Sequence, residues 1–116
     1  MHEGLKGRDI IKEITEGCRK AGIRPVMYMN VWSHWAFQNF PDWRCIKPDG
    51  KTSMDLMFNQ VGRYGVLCPN SGYRNYVIEL TREIAEYDSD GFWIDMILWR
   101  TFCRCPHCKK RFKEET

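Results

Sequence analysis

Residues 90–108 read DGFWIDMILWRTFCRCPHC, and the rest of the chain is arranged around them. Phe92-Trp93-Ile94 is a run of aromatic and β-branched residues, opened by Asp90-Gly91 and closed by Asp95. Such a run predicts a short buried strand with a carboxylate at its C-terminal end. A few residues on, Cys103-Arg104-Cys105-Pro106-His107-Cys108 forms a C-x-C-x-x-C cluster with the spacing of metal ligands.

At 116 residues the chain has room for one domain with a core, and 43% hydrophobic residues place it among globular proteins. The net charge of +3 comes partly from Lys109-Lys110-Arg111 and Lys113, a cluster expected on the solvated face of a terminal helix. That charge is too small to point to nucleic acid as a partner. The opening residues MHEGLKGRDI lack an apolar core of a secretory signal, and no run reaches membrane-spanning length. No membrane partner is therefore expected. Six cysteines would suit three disulfides in a secreted protein, but three of them fall within six positions. A reduced, cytoplasmic setting with a thiolate-bound metal fits that crowding better.

Outward from the central stretch, elements alternate. Asp9 to Ala21 predicts a helix with Ile10, Ile11, Ile14, Cys18 and Ala21 on its core side, Asp9 as N-cap and Gly22 as its left-handed stop. Val26 to Val31 then reads as a parallel strand buried on both faces, interrupted near its end by Asn30. Trp32 to Lys51 reads as a long packed loop, crowded with Trp32, His34, Trp35, Phe37, Phe40 and Trp43 and closed by the Pro48-Asp49-Gly50 turn. Flat rings suit the apolar side of a pyranose, so Trp32 and Trp35 are candidate sugar platforms. His34 and Asn30 are candidate substrate contacts because they follow or end the strand, and Trp93 joins them from the second strand.

Ser53 to Val66 is weakly patterned and reads as loop, with a short helix around Met54 to Gln60. Tyr73, Val77, Leu80, Ile84 and Tyr87 then repeat at steps of four and three, a helix with Asn70 or Ser71 as its N-cap. A last helix is expected to start near Pro106. Helix, strand, long loop, helix, strand, loop, helix is the order of an α/β fold with a parallel sheet. Two strands and three helices make a poor domain, whereas a whole (β/α)8 barrel needs about 250 residues. Residues 1–116 are therefore expected to be one incomplete TIM-barrel segment, about two βα units with long loops. The rest of the barrel would lie in a longer parent chain.

C-x-C-x-x-C supplies three thiolates, and a structural zinc site wants four ligands. Cys68, Cys45, Cys18 and His107 are the candidates for the fourth. Cys18 sits on the core side of a helix, and His107 lies between two proposed ligands. Cys68 sits at the entry of a helix, which should lie at the far end of the layer unless the preceding loop folds back across it.

YGVLCPNSGYRNYVIELTREIAEYDSDGFWIDM followed by CRCPHC resembles bacterial (β/α)8 glycoside hydrolases, as do GLKGRDIIKEITEGCRKAGIRPVMYMNVWSHWA and PDWRCIKPDGK. The resembling sets are glycosyl hydrolases related to α-L-fucosidases and zinc-containing β-galactosidases. The β-galactosidase likeness implies a structural zinc held by Cys68, Cys103, Cys105 and Cys108. The fucosidase likeness implies that Asp95, ending a W-x-D strand, is the nucleophile. The β-galactosidase pattern carries an Asn-Glu pair beyond that strand, where this chain has Met96-Ile97, so the fucosidase-like role is favoured.

Retaining hydrolysis of an O-glycosidic bond needs two carboxyl groups about 5–5.5 Å apart. Asp42, Asp49 and Asp55 read as loop residues and Glu79, Glu83 and Glu86 as helical, so no second carboxylate matches Asp95 in setting. The chain alone is expected to be inactive on its carbohydrate substrate. A structural role for Asp95, holding a loop or pairing with Arg100 or Arg104, is the plainer alternative. The rival class for the whole chain is a small non-enzymatic zinc-binding α/β interaction module. A redox role for the cysteines is disfavoured by the missing thioredoxin-like strand before C-x-x-C.

Overall fold

A computed structural model describes residues 3–52, 65–97 and 102–116. The short helix expected around Met54 to Gln60 lies outside these residues, as do Asp55 and Arg100. A 3-10 turn at Glu3–Leu5 leads into α1, Ile10–Lys20. β1 is Val26–Asn30, α2 His34–Asn39, α3 Tyr73–Ala85, β2 Gly91–Asp95 and α4 Pro106–Glu115, with a second 3-10 turn at Pro41–Trp43.

α1 begins and ends as its sequence dictates. Asp9 Oδ1 accepts the Lys12 amide at 3.0 Å, and that bond holds the Asp9 carboxyl below its usual range against the opposing effect of burial. At the other end Gly22 has φ +72°, its amide donates to Arg19 O, and the Ile23 amide donates to Cys18 O at 2.8 Å. This double return satisfies the last carbonyls, and only glycine takes that backbone cheaply. The expected burial of α1 is not found. Ile10, Ile11 and Ile14 are exposed, Ile14 by 58%, and the one buried residue is Thr15.

β1 and β2 form a two-stranded parallel sheet, with Val26 beside Gly91, Tyr28 beside Trp93 and Asn30 beside Asp95. Three contacts set the register. Arg19 grips Asp88 at 2.8 Å and Asp90 at 2.7 Å, and the Asp90 amide donates to Pro25 O at 2.8 Å. One sheet face carries Met29, which packs with Val31, Trp32, Cys45 and Val66 beneath Val77, Leu80 and Ile84 of α3. Alternation sends Val26, Tyr28 and Trp93 to the opposite face. There Tyr28 is 60% and Trp93 65% exposed, and Phe92 and Ile94 are exposed on the other face, so β1 is not buried on both faces and β2 is not the buried strand expected. The radius of gyration, 17.1 Å, exceeds the ~13 Å of a self-contained domain of about this size.

Residues 32–51 are more regular than the expected loop. Ser33 caps α2 by accepting the Ala36 amide at 3.1 Å. Ala36 and Phe37 then bury against Leu67 and Tyr73, with Phe40, Trp43 and Tyr76 around them. A Cβ on Gly65 would stand 2.0 Å from the Phe37 ring, so residue 65 must be glycine for this approach. The Pro48–Gly50 turn forms as expected, closed by the Gly50 amide on Lys47 O at 3.0 Å.

A candidate metal centre beside an aspartate at a strand end

Three backbone bonds bring the cysteines together. The Cys45 amide donates to Val66 O at 2.9 Å and the Cys68 amide to Trp43 O at 2.7 Å, so residues 65–68 run antiparallel beside 43–46. The Arg104 amide donates to Ile46 O at 2.7 Å, laying Cys103-Arg104-Cys105 along the same strip. Cys68 therefore reaches the triplet because the loop before α3 folds back, which answers the geometric objection.

Sulfurs of Cys68, Cys103, Cys105 and Cys108 all lie within 4.8 Å of one another. Cys68 is 3.3 Å from Cys108 and 3.5 Å from Cys105. Bonds of about 2.3 Å to a central zinc give tetrahedron edges of about 3.8 Å, so the spacing suits four-coordinate binding. Each sulfur also accepts an N–H. Cys68 takes the Asn70 amide at 3.4 Å, Cys105 the Cys108 amide at 3.5 Å and Cys108 the Asn70 side chain at 3.3 Å. Burial works against ionisation of Cys103, but the amides of Cys105 and Ile46 and the thiol of Cys45 outweigh it and bring it to about 7. Burial raises Cys68 and Cys105. Such donors favour thiolates, and a cation at the centre would offset the desolvation cost.

The other candidate ligands go elsewhere. Cys45 is fully buried; burial first, then its contact with Cys103, pushes it up to about 12, so it stays a thiol donor to that sulfur. Cys18 remains on α1. His107 Nε2 lies 2.9 Å from Asp42 Oδ2. Two of the basic residues of α4 are answered on the same helix, Arg111 by Glu115 at 2.6 Å and Lys110 by Glu114 at 3.8 Å.

Asp95 ends β2 beside Asn30, the last residue of β1. Tyr28 donates its hydroxyl to Asp95 Oδ2 at 2.7 Å, and the Met96 amide donates to Oδ1 at 2.7 Å. Met96 has φ +59°, a left-handed backbone that costs a non-glycine residue roughly 1–2 kcal/mol and turns its amide back onto the carboxylate. Both oxygens are thus held by donors, and no ion pair from Arg104 is needed to fix them.

Asn30, Asp95 and Trp93 share the open sheet face, and Tyr28 joins them. Tyr28 escaped the sequence reading; its signal is two-residue alternation, which puts it under Asn30 and next to Trp93. Asn30 Oδ1 accepts the Trp32 amide at 2.8 Å, shaping the chain as it leaves β1. Trp32 is 4% exposed and belongs to the core, so it offers no ring face to a sugar. Trp35 is exposed but lies in another cluster, 5.6 Å from Phe40 and 6.1 Å from Tyr76. His34 opens α2, and its Nδ1 is buried without a partner among the described residues.

Among the described residues, no helix is long and apolar enough to cross a membrane. No curated protein matches the chain. A solved structure, α-L-fucosidase isoenzyme 2 from Paenibacillus thiaminolyticus, superposes with a TM-score of 0.74 at 24% identity. The match covers 92% of this chain and 16% of the fucosidase, so the chain spans under a fifth of that enzyme's length and shares the fold of that part. A family model described as hypothetical glycosyl hydrolase 6 matches residues 1–96, from before α1 through Asp95 and Met96. With the β1–α3–β2 unit and its terminal aspartate inside that match, the chain belongs to the hypothetical glycosyl hydrolase 6 family.

Proposed function

We propose that this chain is the part of a (β/α)8-barrel glycoside hydrolase that contributes the nucleophile Asp95 and a structural zinc clip. The observation that carries this is the placement of Asp95 and Asn30 together at the C-terminal ends of two parallel strands. Barrel enzymes build their sites at that end. Two donors orient the Asp95 carboxyl, as attack on an anomeric carbon requires. Trp93, on the same face, is the ring best placed to meet a sugar. The resemblance to fucosidases favours an α-L-fucoside or a related O-glycoside as substrate.

Asp95 is the one carboxylate in the two strands, so the acid/base group must come from elsewhere in the barrel. The open face bearing Val26, Tyr28 and Trp93 is where further strands would pack. That openness argues against a self-sufficient interaction module, which would bury its strands alone. Cys68, Cys103, Cys105 and Cys108 would hold zinc. Four thiolates close its coordination sphere, so its work is to pin the strip beside the strand ends, not to activate water.

Hydrolysis of an aryl α-L-fucoside by this chain alone and by the longer natural enzyme tests the proposal. The chain alone should show no turnover. In the longer enzyme Asp95→Asn should lower kcat by about 10⁴-fold or more, as loss of a covalent nucleophile does. An Asp95→Asn enzyme with unchanged kcat would remove Asp95 from the chemistry, and turnover by the chain alone would defeat the claim that it is incomplete.

A further inference from the structure

Asn70 lies in the Cys-Pro-Asn-Ser stretch, where a capping residue for α3 is expected, yet it does not cap. Ser71 Oγ accepts the Tyr73 amide at 3.2 Å, and α3 starts after Gly72. Asn70 instead touches two of the four clustered sulfurs. Its backbone amide donates to Cys68 Sγ at 3.4 Å and its Nδ2 to Cys108 Sγ at 3.3 Å. Its Oδ1 accepts from Arg111 Nη1 at 2.8 Å. Arg111 is only a donor, so it must meet the amide oxygen, and the NH₂ group is thereby turned to the sulfur. Arg111 is held in turn by Glu115, one turn along α4, at 2.6 Å.

We infer that Asn70, oriented by Arg111, is a positioning residue of the metal centre, holding Cys108 Sγ in place by its side-chain N–H and setting how tightly the site holds its cation. The inference rests on the four-thiolate zinc site proposed above. Four thiolates around a dication leave two negative charges on the cluster. Cys105 and Cys68 are fully buried, whereas Cys108 is only partly so and faces an open groove lined by Phe102, Arg104, Lys109 and Phe112. Competing chelators would therefore reach Cys108 more readily than the two buried sulfurs. A side-chain N–H there stabilises the thiolate, and the Arg111 charge behind it offsets part of the cluster's charge. Partners of metal ligands of this kind typically carry 10–100-fold in affinity.

The test uses zinc-loaded parent chain with Asn70→Ala and Arg111→Met, and circular dichroism as a check on folding. Asn70→Ala leaves the backbone amide on Cys68 in place and removes only the side-chain donor. Its zinc affinity, read by chelator competition, should fall about 10–100-fold. Loss of zinc to excess chelator should be faster, and the sulfur-to-metal band of the cobalt-substituted protein should move to longer wavelength. Arg111→Met should shift all three the same way, with an affinity loss of up to about fivefold, as suits a half-exposed charge. A merely structural role would leave the cobalt band and the rate of zinc loss to chelator unmoved, and would overturn the inference. Both variants holding zinc within about twofold of the parent, with unchanged cobalt bands, would overturn the inference. Should Asn70→Ala fail to fold, Arg111→Met decides by the same readings. A parent chain that binds no metal defeats the zinc site itself, and this inference with it.

Discussion

Around Cys68, Cys103, Cys105 and Cys108 each sulfur meets an N–H from its own surroundings, whereas Val26, Tyr28 and Trp93 leave more than half of each residue open. The two regions are separated by one short parallel sheet. The first is closed by local means: folded-back backbone, an asparagine and a proline-started helix. The second is an apolar surface with a doubly hydrogen-bonded carboxylate at its rim, which suits the proposed barrel segment before other strands cover it. A cross-linking cation suits the first region because few apolar contacts hold α4 to the rest. Packing suits the second, because its side chains are large and its strands short. On the function proposed above, the chain holds a finished support beside an unfinished site.

Removing the cation should have the largest effect. Chelation of the zinc form, or Cys105→Ser, should cost more than about 4 kcal/mol of stability, read as a fall in Tm, since a lost structural metal is among the few single changes of that size. Survival of Tm after complete chelation would show that the closed region holds by packing alone. Gly65→Ala comes next. The Phe37 ring sits where the new methyl must go, and overpacking of that kind costs about 1–3 kcal/mol by denaturant unfolding. Val26→Ala sharpens the contrast. In this chain Val26 is 60% exposed, and the change should cost under about 0.5 kcal/mol. In the proposed longer enzyme, with that end of the face covered, the same change should cost about 1.5 kcal/mol or more. Equal small costs in both would mean that the face stays open.

The smallest effect is on pH dependence. Arg19 holds Asp88, and the Lys12 amide holds Asp9, below the usual carboxylate range. A depressed folded value stabilises above the unfolded pKa of about 3.9 and is lost as pH falls through the folded value. Tm should therefore drop as pH is lowered below about 4, and Arg19→Met should flatten that slope without removing the part due to Asp9. An unchanged slope in Arg19→Met would mean that the Asp88 pair does not persist in solution.

Much of the fold was legible because its signals are local. Asp9 and Gly22 mark both ends of α1, the Tyr73–Ile84 stripe marks α3, and Phe92–Ile94 and Pro106 mark β2 and α4. What escaped depends on partners distant in sequence. Ser33 capping α2 is a three-residue signal submerged among aromatics, so that stretch reads as loop. The isoleucines of α1 have a helical period, but period says which residues share a face and not whether anything covers it. Trp32 and Trp35 look alike in sequence; only the packing under α3 makes one core and leaves the other exposed. Tyr28 and Asp95 meet through a sheet register that no single strand encodes. The cysteine triplet is visible as spacing, while Cys68 joins it through bonds between residues 43–46, 66–68 and 104.

The most direct test of the closed region is metal analysis of the purified chain together with X-ray absorption at the zinc edge. The account predicts one zinc per chain with four sulfur neighbours at about 2.3 Å and no nitrogen or oxygen in the first shell. A metal-free folded chain, or a shell containing nitrogen or oxygen, would contradict it.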